Sequence, residues 1–200
     1  MCALLVGGSA FAALSPKYAD WAKGPEQWLM TKDDWNAWRN VKTDEEAERF
    51  IELFWARRDP TPGTFVNEFR DRFNERVLYA DAHFQSYRGK RGSLTSPGRV
   101  FILLGRPNAT GSRPLIAPSA GGNGALGATE PGRLEWRYAN PREIGLSGSV
   151  VCFSDITSRE FDCDPRLGSL ANALAQAIDG AVVNPTLTAV PDWAKFGANR

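Results

Sequence analysis

Apolar positions follow a helical period in the first half of the chain and short, strand-like runs in the second. Ala47, Phe50, Ile51, Phe54 and Trp55 fall at offsets 0, 3, 4, 7 and 8, which places them on one face of an α-helix. Thr43 with Glu46 three residues later supplies a capping box for its start. The helix closes on a basic pair, Arg57-Arg58. It stops at Asp59-Pro60, because a residue before proline is pushed out of the α region. Pro62-Gly63 then turns the chain, and Thr64 is expected to start a second helix over 65–87. Phe65, Phe69, Phe73, Val77, Ala80 and Phe84 form its apolar stripe, while Glu68, Arg70, Asp71, Arg72, Glu75 and Arg76 are expected to face water. Upstream, Ser15-Pro16 predicts a short helix over 17–23, and Thr31 with Asp34 predicts another carrying Trp35 and Trp38. Trp28, Trp35 and Trp38 read as packing for these short helices, which need large side chains to bury enough area.

After Gly89–Gly92 the pattern changes. Arg99 to Leu104 is a continuous apolar run closed by Gly105-Arg106-Pro107-Asn108, and it predicts a buried strand over 99–104. That turn lacks the lysine and the following helix that a phosphate loop requires. Residues 109–132, rich in Gly, Ala, Pro and Ser, are expected to form a mobile loop. Further strands are predicted over 134–138, with Trp136 inward, over 149–153 and over 161–163. If Thr157 and Ser158 centre the last hairpin, Cys152 lies directly opposite Cys163, at a distance compatible with a disulfide in an oxidising compartment. Two free, buried thiols are the alternative. A helix over 167–178 and a loosely docked tail over 182–200 complete the chain. The predicted fold is α+β: a helical part over 14–88 packs on a small, mainly antiparallel sheet part over 99–165. These form one domain over 14–180, followed by a C-terminal tail.

Composition narrows the function. The chain has 200 residues, 42% of them apolar, with seven Trp and eleven Phe, enough for one domain core. A formal charge of +1 gives no electrostatic case for nucleic acid. A single histidine, His83, rules out a multi-histidine metal site within one chain, and no cofactor is implied. Cys2 to Ala13 reads as the apolar core of a secretory signal with small residues suited to cleavage, so 1–13 is expected to be removed and the mature chain to begin near Leu14. A buried N-terminal segment of a cytosolic domain is the other reading. The stretch is shorter than the roughly 20 residues a membrane span needs, so no span is expected in the mature chain.

The order LSPKY, KTDEEAERFIELFWARRDPTPGT, NEFRDRF, YADAHF and GRVFILLGRPN resembles the GWxTD-domain family of exported bacterial proteins, over roughly residues 14–108. FWARRDPTPGT is its most specific part. Where the family has Gly-Trp-x-Thr-Asp, this chain has Gly92-Ser93-Leu94-Thr95-Ser96, so the tryptophan and aspartate positions hold serines. The resemblance implies a periplasmic or envelope location and a fold rather than a reaction.

Three functional readings follow. The first is an exported, non-catalytic module that binds a protein or envelope component through the helical corner. Its candidate binding residues are Trp55, Arg57, Arg58, Asp59, Asn67, Glu68 and Arg70. One of the two arginines is expected to turn inward and brace the corner, since guanidinium offers five donors in a fixed fork. The second reading is a structural subunit of an envelope assembly, which an apolar patch around the Trp-rich helices would favour. The third is a hydrolase using two carboxylates such as Asp59 and Glu68.

Overall fold

Both capping boxes form. Thr31 Oγ1 accepts the Asp34 N–H (3.1 Å) while Asp34 Oδ2 accepts the Thr31 N–H (3.0 Å). Thr43 and Glu46 exchange the equivalent bonds. These caps start α2 (Lys32–Trp38) and α3 (Asp44–Ala56), after a short α1 (Pro16–Ala19) and two tight 3-10 turns, Trp21–Lys23 and Pro25–Leu29. The computed structural model describes residues 14–86, 88–113, 133–138, 150–154, 161–163 and 168–195. The expected leader at 1–13, residues 114–132, the turn at Thr157-Ser158 and the chain beyond 195 lie outside the described residues.

The second long helix, α4, spans Glu68–His83 and not 65–87. Asn67 caps it by accepting the Arg70 N–H, and its amide donates to Trp55 O on α3 (2.9 Å). A cap that also ties two helices together therefore outweighs the apolar spacing that would have included Phe65. Phe73, Val77 and Ala80 are buried as expected, whereas Phe65 is 75% exposed in the loop. Arg76 does not face water. It turns inward and donates to Ile102 O (2.8 Å), and burial lowers its guanidinium pKa.

The largest departure is the run 99–104, which is helix and not strand. It belongs to α5 (Ser96–Leu104), N-capped by Thr95, with proline in the first turn and Gly105 closing it at φ +79°. Val100, Phe101, Ile102 and Leu103 are all buried, because α5 is enclosed by α4, β4 (Phe161–Cys163) and α6 (Gly168–Gly180). Val100 to Leu104 is a short continuous apolar run, and such a run cannot be told from a buried strand by its pattern alone. The informative signals were Thr95 and Pro97 at the start and Gly105 at the end.

The sheet has four antiparallel strands in sequence order. Three lie near their expected positions: β2 (Arg133–Arg137), β3 (Val150–Ser154) and β4. The fourth, β1 (Ala109–Arg113), occupies the start of the expected mobile loop, pairing Thr110 with Trp136 and Ala109 with Arg137. Its sequence, Ala-Thr-Gly-Ser-Arg, has low strand propensity, and the ladder to β2 decides its conformation. Trp136 points inward as expected and meets Phe84 and Phe101 at centroid distances of 5.4 and 6.2 Å, joining sheet to helices. The fold is thus α+β, with one core shared between the two parts. No described helix is long and apolar enough to cross a membrane.

Cys152 pairs with Cys163 in the β3–β4 register, and the two sulfurs are bonded at 2.06 Å. The sequence separation of 11 closes a short loop, so the bond is expected to stabilise by about 2–3 kcal/mol on the chain-entropy model. Reduction should therefore lower the melting temperature by roughly 5–10 °C. Mass spectrometry without reductant checks the bond itself, and two free thiols at these positions would refute it.

Candidate functional site

The corner after α3 is built around one buried cation. Arg58 is 0% exposed. Its Nη1 donates to Phe54 O (2.9 Å), and its Nη2 donates to Leu29 O (2.8 Å) and Asp34 Oδ2 (2.6 Å). The guanidinium carbon lies 3.7 Å from the Phe54 ring centroid. Burial lowers the Arg58 pKa, and the Asp34 carboxylate opposes that shift. Asp34 thus serves as a helix cap for α2 and as the counter-ion of Arg58, with Arg57 Nη1 4.0 Å from its other oxygen. The inward brace expected of one arginine is Arg58, and its partner Asp34 comes from a different helix.

The C-terminal carbonyls of α3, which an α-helix leaves unpaired, are taken up one by one. Trp55 O accepts from Asn67, as above. Arg57 O accepts the N–H groups of Val183 and Asn184 (3.0 and 2.9 Å). The Asn184 side chain donates to Ala56 O (3.3 Å) and Asp59 O (2.7 Å), and Arg57 Nε donates to Leu187 O (2.9 Å). The chain expected to be a loosely docked tail is therefore fastened across the corner as far as 187, and α7 (Asp192–Lys195) contacts α3 beyond it. Asn184 carried no signal in the sequence, because its partners lie more than a hundred residues away.

Beside this corner, α1, α3, the 61–67 loop and α4 enclose a groove of about 840 Å³. Of the expected binding residues, Trp55, Asp59, Asn67 and Arg70 line it. Arg57, Arg58 and Glu68 do not: the two arginines brace the corner from behind, and Glu68 accepts the Thr61 hydroxyl. Trp55 is 5% exposed and serves as wall, with the Arg70 guanidinium 5.5 Å from its ring centroid. Phe65 and Val66, 75% and 50% exposed, stand at the lip. Glu26, which the sequence reading passed over, also lines the groove, and burial raises its pKa.

Asp59 and Glu68 both bind Thr61, Asp59 Oδ1 accepting its N–H at 3.0 Å. Burial raises the Asp59 pKa, while the hydrogen bond from the Thr61 hydroxyl lowers that of Glu68. Their environments are split as an acid–base pair's would be. Their oxygens nevertheless serve the turn, and Glu68 lies outside the groove lining. Trp21, Trp28, Trp35 and Trp38 pack against the core, and the exposed large hydrophobics of the described residues are Phe65, Val66, Leu78 and Val183. His83 stacks on Tyr79 at 3.9 Å between centroids. Among the described residues no group of three or more His, Cys, Asp or Glu side chains is placed to hold a metal ion. Compared with protein families, with curated proteins and with solved structures, the chain finds no match in any of the three.

Proposed function

We propose that this chain is an exported, non-catalytic module of the GWxTD type that binds a segment of another protein or an envelope component in the groove beside its helical corner. One observation carries the reading: Trp55, Asp59, Asn67 and Arg70 converge on a groove of about 840 Å³ whose lip bears the adjacent, exposed Phe65 and Val66. Binding clefts combine a concave apolar wall with a few convergent polar groups, and their volumes commonly run about 300–1,000 Å³. The brace behind the groove supports the same reading. Arg58, Asp34 and Asn184 hold the corner rigid, and a preformed site loses less entropy on binding.

The Cys152–Cys163 bond supports export, since disulfides persist in oxidising compartments. Of the namesake positions, this chain keeps Gly92 and Thr95. Gly92 lies against the backbone of α4, and Thr95 caps α5.

A Phe65→Glu/Val66→Glu variant tests the groove. Both side chains are exposed, so melting should stay within about 2 °C of wild type, surface changes being worth about 0.5 kcal/mol or less. Chemical crosslinking in the native envelope should then recover at least tenfold less of the partner captured by wild type. Equal capture by variant and wild type would exclude the groove as the site.

A further inference from the structure

We propose, resting on that reading of the groove, that its occupant is a basic segment: an extended stretch of another protein that presents lysine or arginine side chains beside apolar ones. Five carboxylates line the groove, those of Glu26, Glu48, Glu52, Asp59 and Asp71, against two cations, Lys17 and Arg70. Neither cation offsets them through a close pair. Among the described residues no ion pair joins any of the five to a lysine or arginine.

Both cations lie near aromatic rings. Lys17 Nζ is 4.6 Å from the Tyr18 ring centroid, and the Arg70 guanidinium is 5.5 Å from that of Trp55. Tyr18 and Trp55 both line the groove. The Arg70 guanidinium thus already occupies the kind of place a partner's side chain would take, an aromatic face beside carboxylates, while Lys17 Nζ also donates to the Tyr18 hydroxyl (3.2 Å).

The carboxylates agree with this assignment. Burial raises the pKa of Glu26, and it raises that of Asp59 with Glu68 adding to it, although Asp59 also accepts the Thr61 N–H. Arg91 and Arg70 pull Glu26 back only in part, and an entering cation would add to that countercharge. The same surround repels phosphate, and so disfavours anionic lipid headgroups and nucleic acid. The exposed Phe65 and Val66 at the lip match the apolar neighbours of the basic residues.

Fluorescence anisotropy on the full chain tests the assignment. The probes are a fluorescein-labelled short peptide that alternates leucine with lysine or arginine, and a counterpart with glutamate at every basic position. The basic peptide should bind at least tenfold tighter than the acidic one, and its binding should weaken as salt is raised. Glu48→Gln/Glu52→Gln should weaken it at least tenfold, whereas Glu75→Gln, exposed on α4 away from the groove, should leave it within twofold. Equal binding of the two peptides, or a double variant that binds the basic peptide as wild type does, overturns the proposal. If the Phe65→Glu/Val66→Glu variant still loses its captured partner in that case, the groove reading stands and only the basic class falls. If that variant keeps both its partner and the peptide, both readings fall together.

Discussion

Asp34→Ala is expected to cost about 3–5 kcal/mol, because it strands a fully buried guanidinium. Arg58 is 0% exposed, and its only carboxylate partner within 4.0 Å among the described residues is Asp34. The three hydrogen bonds that hold it use Nη1 and Nη2, while its Nε has no partner. Without Asp34 the positive charge would keep two carbonyls and the Phe54 ring, too little to replace the lost hydration. The melting temperature should fall by roughly 6–20 °C for a chain of this size.

Arg58→Met should also destabilise, by leaving the Asp34 carboxylate buried. The double variant Asp34→Ala/Arg58→Met should recover part of the loss, since replacing both charges removes the uncompensated one. Urea denaturation of the three variants gives the coupling. A single Asp34→Ala variant within 1 kcal/mol of wild type would mean that Arg58 finds water in solution and is not the brace described above.

The second large effect is expected at Gly92. A Cβ added there would stand 1.9 Å from Ala80 O and 2.7 Å from its carbonyl carbon on α4. Both are backbone atoms of a packed helix, so no side chain can swing aside. Gly98 is in the same position one layer on, with an added Cβ 1.9 Å from Gly92 O. The two glycines let α4, the 92–94 turn and α5 stack in backbone contact. Gly92→Ala should therefore cost about 3 kcal/mol or more, at or above the upper end of overpacking effects. Calorimetry should show this as a drop of about 6–12 °C.

Ser93→Ala, one residue along, is the control. Ser93 is fully buried and its hydroxyl makes no well-directed hydrogen bond, although it helps to hold the Asp81 carboxyl low, so removing it should cost about 1 kcal/mol or less, well below the loss at Gly92. Equal losses at both positions would show general sensitivity of the segment and not the close approach of Gly92.

These two sites also show where the sequence was legible. The two capping boxes, the amphipathic α3, the stop at Asp59-Pro60 and the Cys152–Cys163 register were all readable. Each depends on residues within a few positions of one another or on the two-residue period of a hairpin. Local hydrogen bonds and alternation operate before any distant part of the chain arrives, so they leave a mark in the sequence.

The rest was decided by partners remote in the chain. The run at 99–104 became helix because α4, α6, β4 and the turns at 25–29 and 92–94 pack around it, and a short continuous apolar run does not by itself separate helix from strand. Residues 109–113 became a strand because β2 offered its edge, and Arg76 turned inward because Ile102 O lay within reach. The corner itself was legible, but its use was not. Asp34 meets Arg58 across 24 residues, and Asn184 reaches Asp59 across 125. The groove exists only once α1, α3 and α4 are assembled around it. A buried charge demands a counter-ion and a helix end demands caps, but which residues answer is settled by the packing of distant elements, to which no local pattern points.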